Sequence, residues 1–247
     1  MEGTAVPRRL TWEVATVSAA TWETPSVRTI GLDVPAWPGH RAGQHLDVRL
    51  TAEDGYSAER SYSIASAADD PVAITVERLD NGEVSPYLTD DLRVGDQLEL
   101  RGPVGGYFAW ETADGGPLLL VGGGSGIVPL RAILRQREHS GSDTPVRLLY
   151  SARTLSELIY RDELDRHHDG VEIIYTLTRE QPAGWTGYAR RVDRALLAET
   201  AWPAGKNPLA FVCGPTSFVE TVAGGLVALG YEPGRVKTER FGGTGGR

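Results

Sequence analysis

Three short segments carry residue types suited to phosphates, flat rings and reactive carbons. Arg60-Ser61-Tyr62-Ser63 places a cation, a phenol and two hydroxyls in four consecutive residues. A guanidinium neutralises phosphate and a phenol ring stacks on a planar heterocycle. On a strand, Arg60 and Tyr62 share one face, with Ser61 and Ser63 on the other unless the strand bends. Taken alone, the segment reads as ordinary strand. The stretch 117–129, PLLLVGGGSGIVP, runs from an apolar strand through glycines and a serine to a proline. Glycines let backbone approach a ligand closely, and the free N–H groups and dipole of a helix start favour an anion. Pro129 suits the first helical position, where no N–H is needed. The plainer alternative is a tight turn packing a helix onto a strand. Cys213-Gly214-Pro215 follows another apolar run, LAFV, at the sheet edge where ligands of open α/β folds sit. A free cysteine there is equally a small buried hydrophobe, and position alone does not choose.

The glycine segment departs from the common dinucleotide fingerprint. Its spacing is Gly124-x-Gly126-x-x-Pro129, and the next strand ends in Tyr150-Ser151-Ala152-Arg153 without the acidic residue that would hold an NAD ribose. The strand after that ends in Thr178-Arg179. Hydroxyls and arginines at equivalent strand ends suit a ribose 2′-phosphate. For a single arginine the plain alternative is a solvated surface cation.

Two different halves must position these segments. From Thr11 to about Phe108, strand-like stretches at 11–18, 27–34, 45–50, 60–65, 72–79 and 96–101 are separated by turn residues, including Asn81-Gly82 and Gly102-Pro103. Leu46, Val48 and Leu50 alternate with Asp47 and Arg49 as a half-buried strand requires. Six such strands predict a small antiparallel β-barrel, interrupted by one short helix at 85–92. The second half alternates strands (118–121, 146–151, 171–177, 209–212, 235–241) with helices (129–138, 156–166, 192–199, 217–229). Thr154 and Glu157 have capping-box spacing. This order predicts a parallel sheet covered on both faces. The division falls in the polar stretch 111–116, giving domains 1–112 and 113–247.

Composition narrows the function classes. Of 247 residues, 40% are hydrophobic and 23% charged, enough for globular cores. The net charge of −8 argues against general nucleic-acid binding. No apolar run reaches the roughly 18 residues of a membrane helix, and the N-terminus lacks the apolar core of a secretory signal, so a cytoplasmic location is expected. The single cysteine allows no internal disulfide and no Cys-rich metal site. The adjacent His167 and His168 would point in different directions on a helix, and no metal is expected.

RSYS, GEVS (82–85), GPVGGYF (102–108), GGGSGIVP (122–129), CGP (213–215) and ERF (239–241), in this order, resemble the ferredoxin–NADP reductase superfamily, over about Thr11 to Phe241. The resemblance is to its stand-alone or oxygenase-linked reductases. It implies an FAD-binding barrel followed by an NAD(P)-binding α/β domain. Arg60 would contact the flavin pyrophosphate, with Ser61 beside it; Tyr62 would stack on the isoalloxazine ring, and Ser63 would hydrogen-bond near N5. Val76 would line the flavin site. Gly82, Glu83, Val84 and Ser85 would offer backbone N–H groups and a hydroxyl to the pyrophosphate. Gly123, Gly124, Ser125 and Gly126 would bind the nicotinamide nucleotide's pyrophosphate, with Ser151, Arg153, Thr178 and Arg179 at its adenosine end. Cys213, backed by Gly214 and Pro215, would stand beside the nicotinamide C4. Glu239 matches a carboxylate linked to proton handling, and Phe241 the aromatic that covers the flavin. Ser63, Cys213, Glu239 and Phe241 form the implied catalytic set. Many plant-type members carry tyrosine where this chain has Phe241, and here the tail 242–247 follows, to cover the adenine or to have no fixed structure.

The implied activity is hydride transfer from NAD(P)H to FAD, then single-electron transfer to a separate acceptor such as a ferredoxin or an oxygenase. The single cysteine leaves this sequence no two-iron cluster of its own. A ferric or free-flavin reductase, and a non-catalytic flavin- or nucleotide-binding subunit, are the alternatives. FMN in place of FAD stays open. A modest NADPH preference is expected, with Arg179 the larger contributor. A monomer is the default.

Overall fold

The computed structural model describes residues 10–166 and 168–241. The expectations for the secretory signal, the tail 242–247 and His167 fall outside the described residues. Six antiparallel strands come first: β1 (Glu13–Thr24), β2 (Val27–Asp33), β3 (His45–Thr51), β4 (Ser57–Ser63), β5 (Ala73–Glu77) and β6 (Gln97–Val104), in the spatial order β4-β3-β6-β1-β2-β5. The two edges approach each other through a single Ile64–Ile74 bridge, and the Ala65 N–H donates to the Ala73 carbonyl at 2.7 Å. The sheet thereby curls into a barrel. Alternation builds its interior: Leu46 and Val48 on β3, Ile74 and Val76 on β5, and Leu98 and Leu100 on β6 are all buried. Leu50 packs against the same cluster, as its spacing predicts.

The second half is a parallel sheet of β7 (Leu118–Gly123), β8 (Val146–Ala152), β9 (Val171–Leu177), β10 (Leu209–Pro215) and β11 (Val236–Phe241), ordered β11-β10-β7-β8-β9. Leu118 and Leu120 face α1 (Ile127–His139), while Leu119 and Val121 face α3 (Arg194–Thr200) and α4 (Thr216–Ala228). A strand with helices over both faces has no polar side to show, which is why these strands read as unbroken apolar runs. The α1 face also meets the barrel: Val27, Ala42, Ala65, Phe108 and Trp110 belong to the same apolar cluster. One continuous core therefore crosses between the halves.

Several local expectations are corrected. β1 extends to Thr24, because register shifts at Val17/Ala19 and Trp22/Thr24 interrupt the alternation that would reveal it. Gly102-Pro103 lies inside β6, beside an irregularity in the β3–β6 register, rather than in a turn. The helix expected over 156–166 is a 3₁₀ turn at Leu155–Glu157 and a single turn, α2 (Arg161–Leu164), separated by Tyr160 in a left-handed conformation (φ 60°). The capping box does not form; Thr154 exchanges a hydrogen bond with Ser156, and Glu157 accepts from Arg153. Helix α1 begins at Ile127 after a 3₁₀ turn at Gly124–Gly126, so Pro129 is its third residue, still within the turn whose N–H groups have no internal acceptor. The helix expected over 85–92 contains a π-helical turn at Tyr87–Asp91.

A Cβ on Gly126 would lie 2.1 Å from the Cys213 carbonyl oxygen, a contact with backbone that cannot swing away. Gly126→Ala is therefore expected to cost roughly 3 kcal/mol. Thermal unfolding should show this as a Tm lower by roughly 10 °C.

Candidate active site

Two adjoining cavities occupy the junction of the halves. The larger, about 620 Å³, runs from Arg60-Ser61-Tyr62-Ser63 on β4 and Gly82-Glu83-Val84-Ser85 after β5 to Ser125, Pro215 and Phe241 in the second half. The smaller, about 320 Å³, is bordered by Gly123, Gly124, Ser125, Ser151, Arg153 and Thr178 at the carboxyl ends of β7, β8 and β9. Both are bordered by Glu77, Ser125, Pro215 and Phe241. The motifs singled out in the two halves thus converge on one continuous cleft.

The larger cavity owes its shape to an edge. β4 is an edge strand with a neighbour on one side only, and all four residues of RSYS at its end border the cavity. The expected division between faces survives in the contacts. Ser61 turns outward and donates to Asp47 Oδ1 at 2.6 Å, while Tyr62 packs against the barrel core. Burial pushes the Tyr62 phenol well above its ordinary pKa and keeps it neutral. Arg60 donates to Glu83, which also accepts from the Tyr56 hydroxyl at 2.8 Å. These bonds, Tyr56's first, hold the Glu83 carboxyl below the usual carboxylate range. Ser85 is buried, and its Oγ accepts from the Leu79 N–H at 3.1 Å, folding the loop over Gly82. A Cβ at Gly82 would lie 2.7 Å from that oxygen.

The smaller cavity is built on backbone. Gly124 has φ 56°, a conformation that costs glycine little, and open space lies where a side chain would project. No side chain caps the start of α1, and its first N–H, that of Ile127, is given to the carbonyls of the preceding 3₁₀ turn, so the backbone left to face an anion is that of the glycine loop itself. Ser125 Oγ donates to Glu77 Oε2 at 2.7 Å, a hydrogen bond between the glycine loop and the barrel. Arg153 borders the cavity with its guanidinium tied to Glu157 at 2.8 Å. Arg179 is exposed and lies outside the residues bordering the cavity.

Val76, Gly126, Cys213, Gly214 and Glu239 border neither cavity. Val76 is fully buried in the barrel. Cys213, 1% exposed, lies under the cleft in the apolar core against which Phe241 packs. Burial, and then the nearby Glu239, push its thiol pKa up. Glu239 is the register partner of Cys213 on the neighbouring strand. Its carboxyl is raised to about 7 by burial, and Oε2 is buried with no hydrogen-bond partner. His45 Nδ1 lies 3.7 Å from Glu239 Oε1, but burial lowers the imidazole pKa, so between their two pKa values both groups are neutral rather than paired as ions.

Sequence reasoning missed Thr75, Glu77, Leu79 and Asn81 on the larger cavity, and Ile159 and Phe218 on the smaller. Glu77 carried a usable signal, since it ends a strand otherwise buried between its two terminal residues. His45 begins a regular alternating strand, where nothing local sets it apart.

The residues present fit a flavin dinucleotide in the larger cavity: a cation at the rim, a half-buried phenol ring and a glycine cradle. They fit a second nucleotide in the smaller, at the glycine loop that leads into α1. Glu239 also has a consequence for stability. The folded chain keeps its proton up to about pH 7, whereas an exposed carboxyl loses it near 4.5. The native state therefore binds more protons in that window, and stability present below about pH 4.5 is lost as the pH rises toward 7. Urea unfolding across pH should find Glu239→Gln equal to wild type in acid and more stable by on the order of 3 kcal/mol at pH 8.

Comparison with known proteins agrees with this geometry. Residues 15–109 match the oxidoreductase FAD-binding domain, and residues 120–224 the oxidoreductase NAD-binding domain. The chain is 31% identical over 232 residues to the glycine betaine monooxygenase reductase subunit of Chromohalobacter salexigens, covering 90% of this chain and 62% of that one. It is 33% identical over 235 residues to the 3-ketosteroid-9-alpha-monooxygenase ferredoxin reductase component of Rhodococcus rhodochrous, covering 92% and 64%. These relatives are longer; the chain spans less than two thirds of each. The flavohem-like FAD/NAD-binding domain of nitric oxide dioxygenase from Vibrio cholerae superposes with a TM-score of 0.84 at 26% identity, covering 94% of this chain and 99% of that one. With both halves matched in order around one shared cleft, the chain belongs to the ferredoxin reductase-like superfamily of FAD- and NAD(P)-binding oxidoreductases.

Proposed function

We propose that this protein is a reductase that takes hydride from NAD(P)H onto FAD and passes electrons to a separate acceptor protein, a ferredoxin or an oxygenase component. The observation that carries this reading is the shared border of the two cavities, where Glu77, Ser125, Pro215 and Phe241 face both. Hydride transfer needs its two reactants in contact, and proximity of this kind accounts for much of such a rate. We place the FAD-binding domain in residues 1–112 and the nucleotide-binding domain in 113–247, and propose a cytoplasmic monomer. Among the described residues no helix is long and apolar enough to cross a membrane.

FAD, when bound, supplies the exchange between two-electron and one-electron chemistry. The chain's own residues do the rest. Arg60 would neutralise pyrophosphate, and the N–H groups of Glu83, Val84 and Ser85 with the Ser85 hydroxyl would hold it, while Gly82, whose N–H is given to the Leu79 carbonyl at 2.8 Å, shapes the cradle. Tyr62 offers its ring face, kept uncharged by burial. Ser63 would hydrogen-bond near N5, and Val76 would act from behind as barrel packing. Gly123–Gly126 receive the second pyrophosphate at the start of α1. Pro215 would border the nicotinamide, with Cys213 and Gly214 packed beneath it. Glu239 holds a proton at its carboxyl near neutral pH. Phe241 covers the site and must move to admit the nicotinamide. Ser151, Arg153, Thr178 and Arg179 receive the adenosine end. Glu157 already engages Arg153, so an NADPH preference is modest and Arg179 contributes more to it.

Three measurements test the reading. Purified protein should be yellow and should bleach anaerobically with NADPH or NADH; a colourless protein that takes up no FAD would sink the proposal. Arg60→Ala removes a charge-assisted contact worth roughly 1.5–3 kcal/mol, so FAD should separate on gel filtration where wild type keeps it. Phe241→Ala should retain FAD and bind the oxidised nucleotide more tightly, because a competitor for the flavin face is gone; FAD loss with unchanged nucleotide affinity would make Phe241 part of the flavin clamp.

A further inference from the structure

Between the two halves lies a buried polar cluster that the proposed chemistry leaves unused. Tyr160, 4% exposed, stands between β8 and α2 with φ 60°. A side-chain-bearing residue reaches that conformation only at a cost of about 1–2 kcal/mol, so its surroundings hold it there. Its hydroxyl crosses the seam and donates to Thr75 Oγ1 on β5. Thr75 shares a 2.8 Å bond with Thr29 Oγ1, and Thr29 donates to Glu23 Oε1 at 2.6 Å. With the Tyr160 and Thr29 hydrogens committed, Thr75 must donate to Thr29, and every hydroxyl in the row is satisfied in one direction. The Arg131 guanidinium lies 4.3 Å over the Tyr160 ring, donates to the Ala65 carbonyl of the barrel at 3.0 Å, and is gripped by Glu163.

This cluster borders the larger cavity directly and the smaller one through the chain that leads into Tyr160. Thr75 borders the larger, while Ile159, the residue before Tyr160, and Glu157, three before it, border the smaller. A phenylalanine would fill the same apolar space; only the hydroxyl reaches across. We propose that Tyr160 is a positioning residue: its bond to Thr75 fixes the offset between the two cavities, and so the alignment of the nicotinamide with the flavin. This rests on the reading of the cavities as FAD and NAD(P)H sites.

Tyr160→Phe tests it, because ring, core and Arg131 stacking remain. FAD should stay bound with its affinity within about twofold, and dithionite should reduce it as in wild type. The limiting rate of reduction at saturating NAD(P)H should fall roughly tenfold, and the long-wavelength absorbance of stacked nicotinamide and flavin should weaken. In the FAD-free chain, hydrogen–deuterium exchange should quicken in 73–77 and 157–164. Thr75→Val should produce the same exchange pattern, and the double variant should add nothing, as expected of two ends of one bond. A wild-type rate and absorbance in Tyr160→Phe, unchanged exchange, or additive effects in the double variant would overturn the proposal. If neither nucleotide reduces the wild-type flavin, the functional reading fails instead, and the exchange measurement still decides whether the bond sets the seam.

Discussion

The α-carbon of Gly126 and the carbonyl of Cys213 approach so closely that a methyl group would overlap the oxygen. β7 and β10 are neighbours in the sheet, and the loops leaving them compete for the same space. One must give up its side chain, and GGGSG does. A second close approach reinforces the first, because a Cβ on Gly214 would lie 2.7 Å from the Phe218 ring. With the two loops pressed together, Ser125 reaches Glu77 of the barrel and Pro215 stands at the border of both cavities. Register then carries Phe241 to the same place, since β11 pairs in parallel with β10 and sets Phe241 beside Pro215. The glycine motif and the Cys-Gly-Pro motif are two sides of one backbone contact.

Beneath the same contact Cys213 is fully buried and Glu239 largely so, with one carboxyl oxygen out of reach of water. Adjacent on β10 and β11, they sit beneath the loops, where burial acts on both in one direction. Each acid keeps its proton above its ordinary pKa, because the ion would be poorly solvated there. A carboxyl poised near 7 can hold or release a proton at physiological pH, whereas the thiol remains a neutral, compact surface. The two roles differ because the starting acidities differ, although the environment is shared.

Much of this was legible in the sequence. Leu46, Val48 and Leu50 place β3 because a half-buried strand has period two, and Leu118–Val121 identifies β7 because a doubly covered strand has no polar side. Arg60, Tyr62, Gly82 and Ser125 could be named since their motifs are contiguous. What stayed hidden is what depends on partners far away in the chain. Tyr160 stops the helix that 156–166 would otherwise form, for reasons lying at Thr75 and Arg131. The bulges of β1 obscure its length, since pairing with β2 decides where an extra residue is absorbed. Arg153 and Glu157 are read as phosphate ligand and helix cap by spacing, yet they find each other once that helix is missing.

The seam between the halves combines two kinds of contact with different consequences. Apolar packing, including the edge-to-face pair Phe108–Phe211 at 5.2 Å, holds the halves together without specifying their register finely, because area is non-directional. Hydrogen bonds specify it. Arg131 to Ala65, the Ala68 N–H to Gln136 at 2.8 Å, and Ser125 to Glu77 each have directional tolerances far narrower than a hydrophobic contact. Arg131 and Gln136 both stand on α1, the helix that follows the glycine loop. A displacement at the loop is therefore carried along a rigid rod to the barrel. Two halves with separate sheets and one shared cleft need this division of labour: the apolar core supplies the cohesion, and a few directed bonds across the seam, from α1, the glycine loop and Tyr160, decide where the two cavities meet.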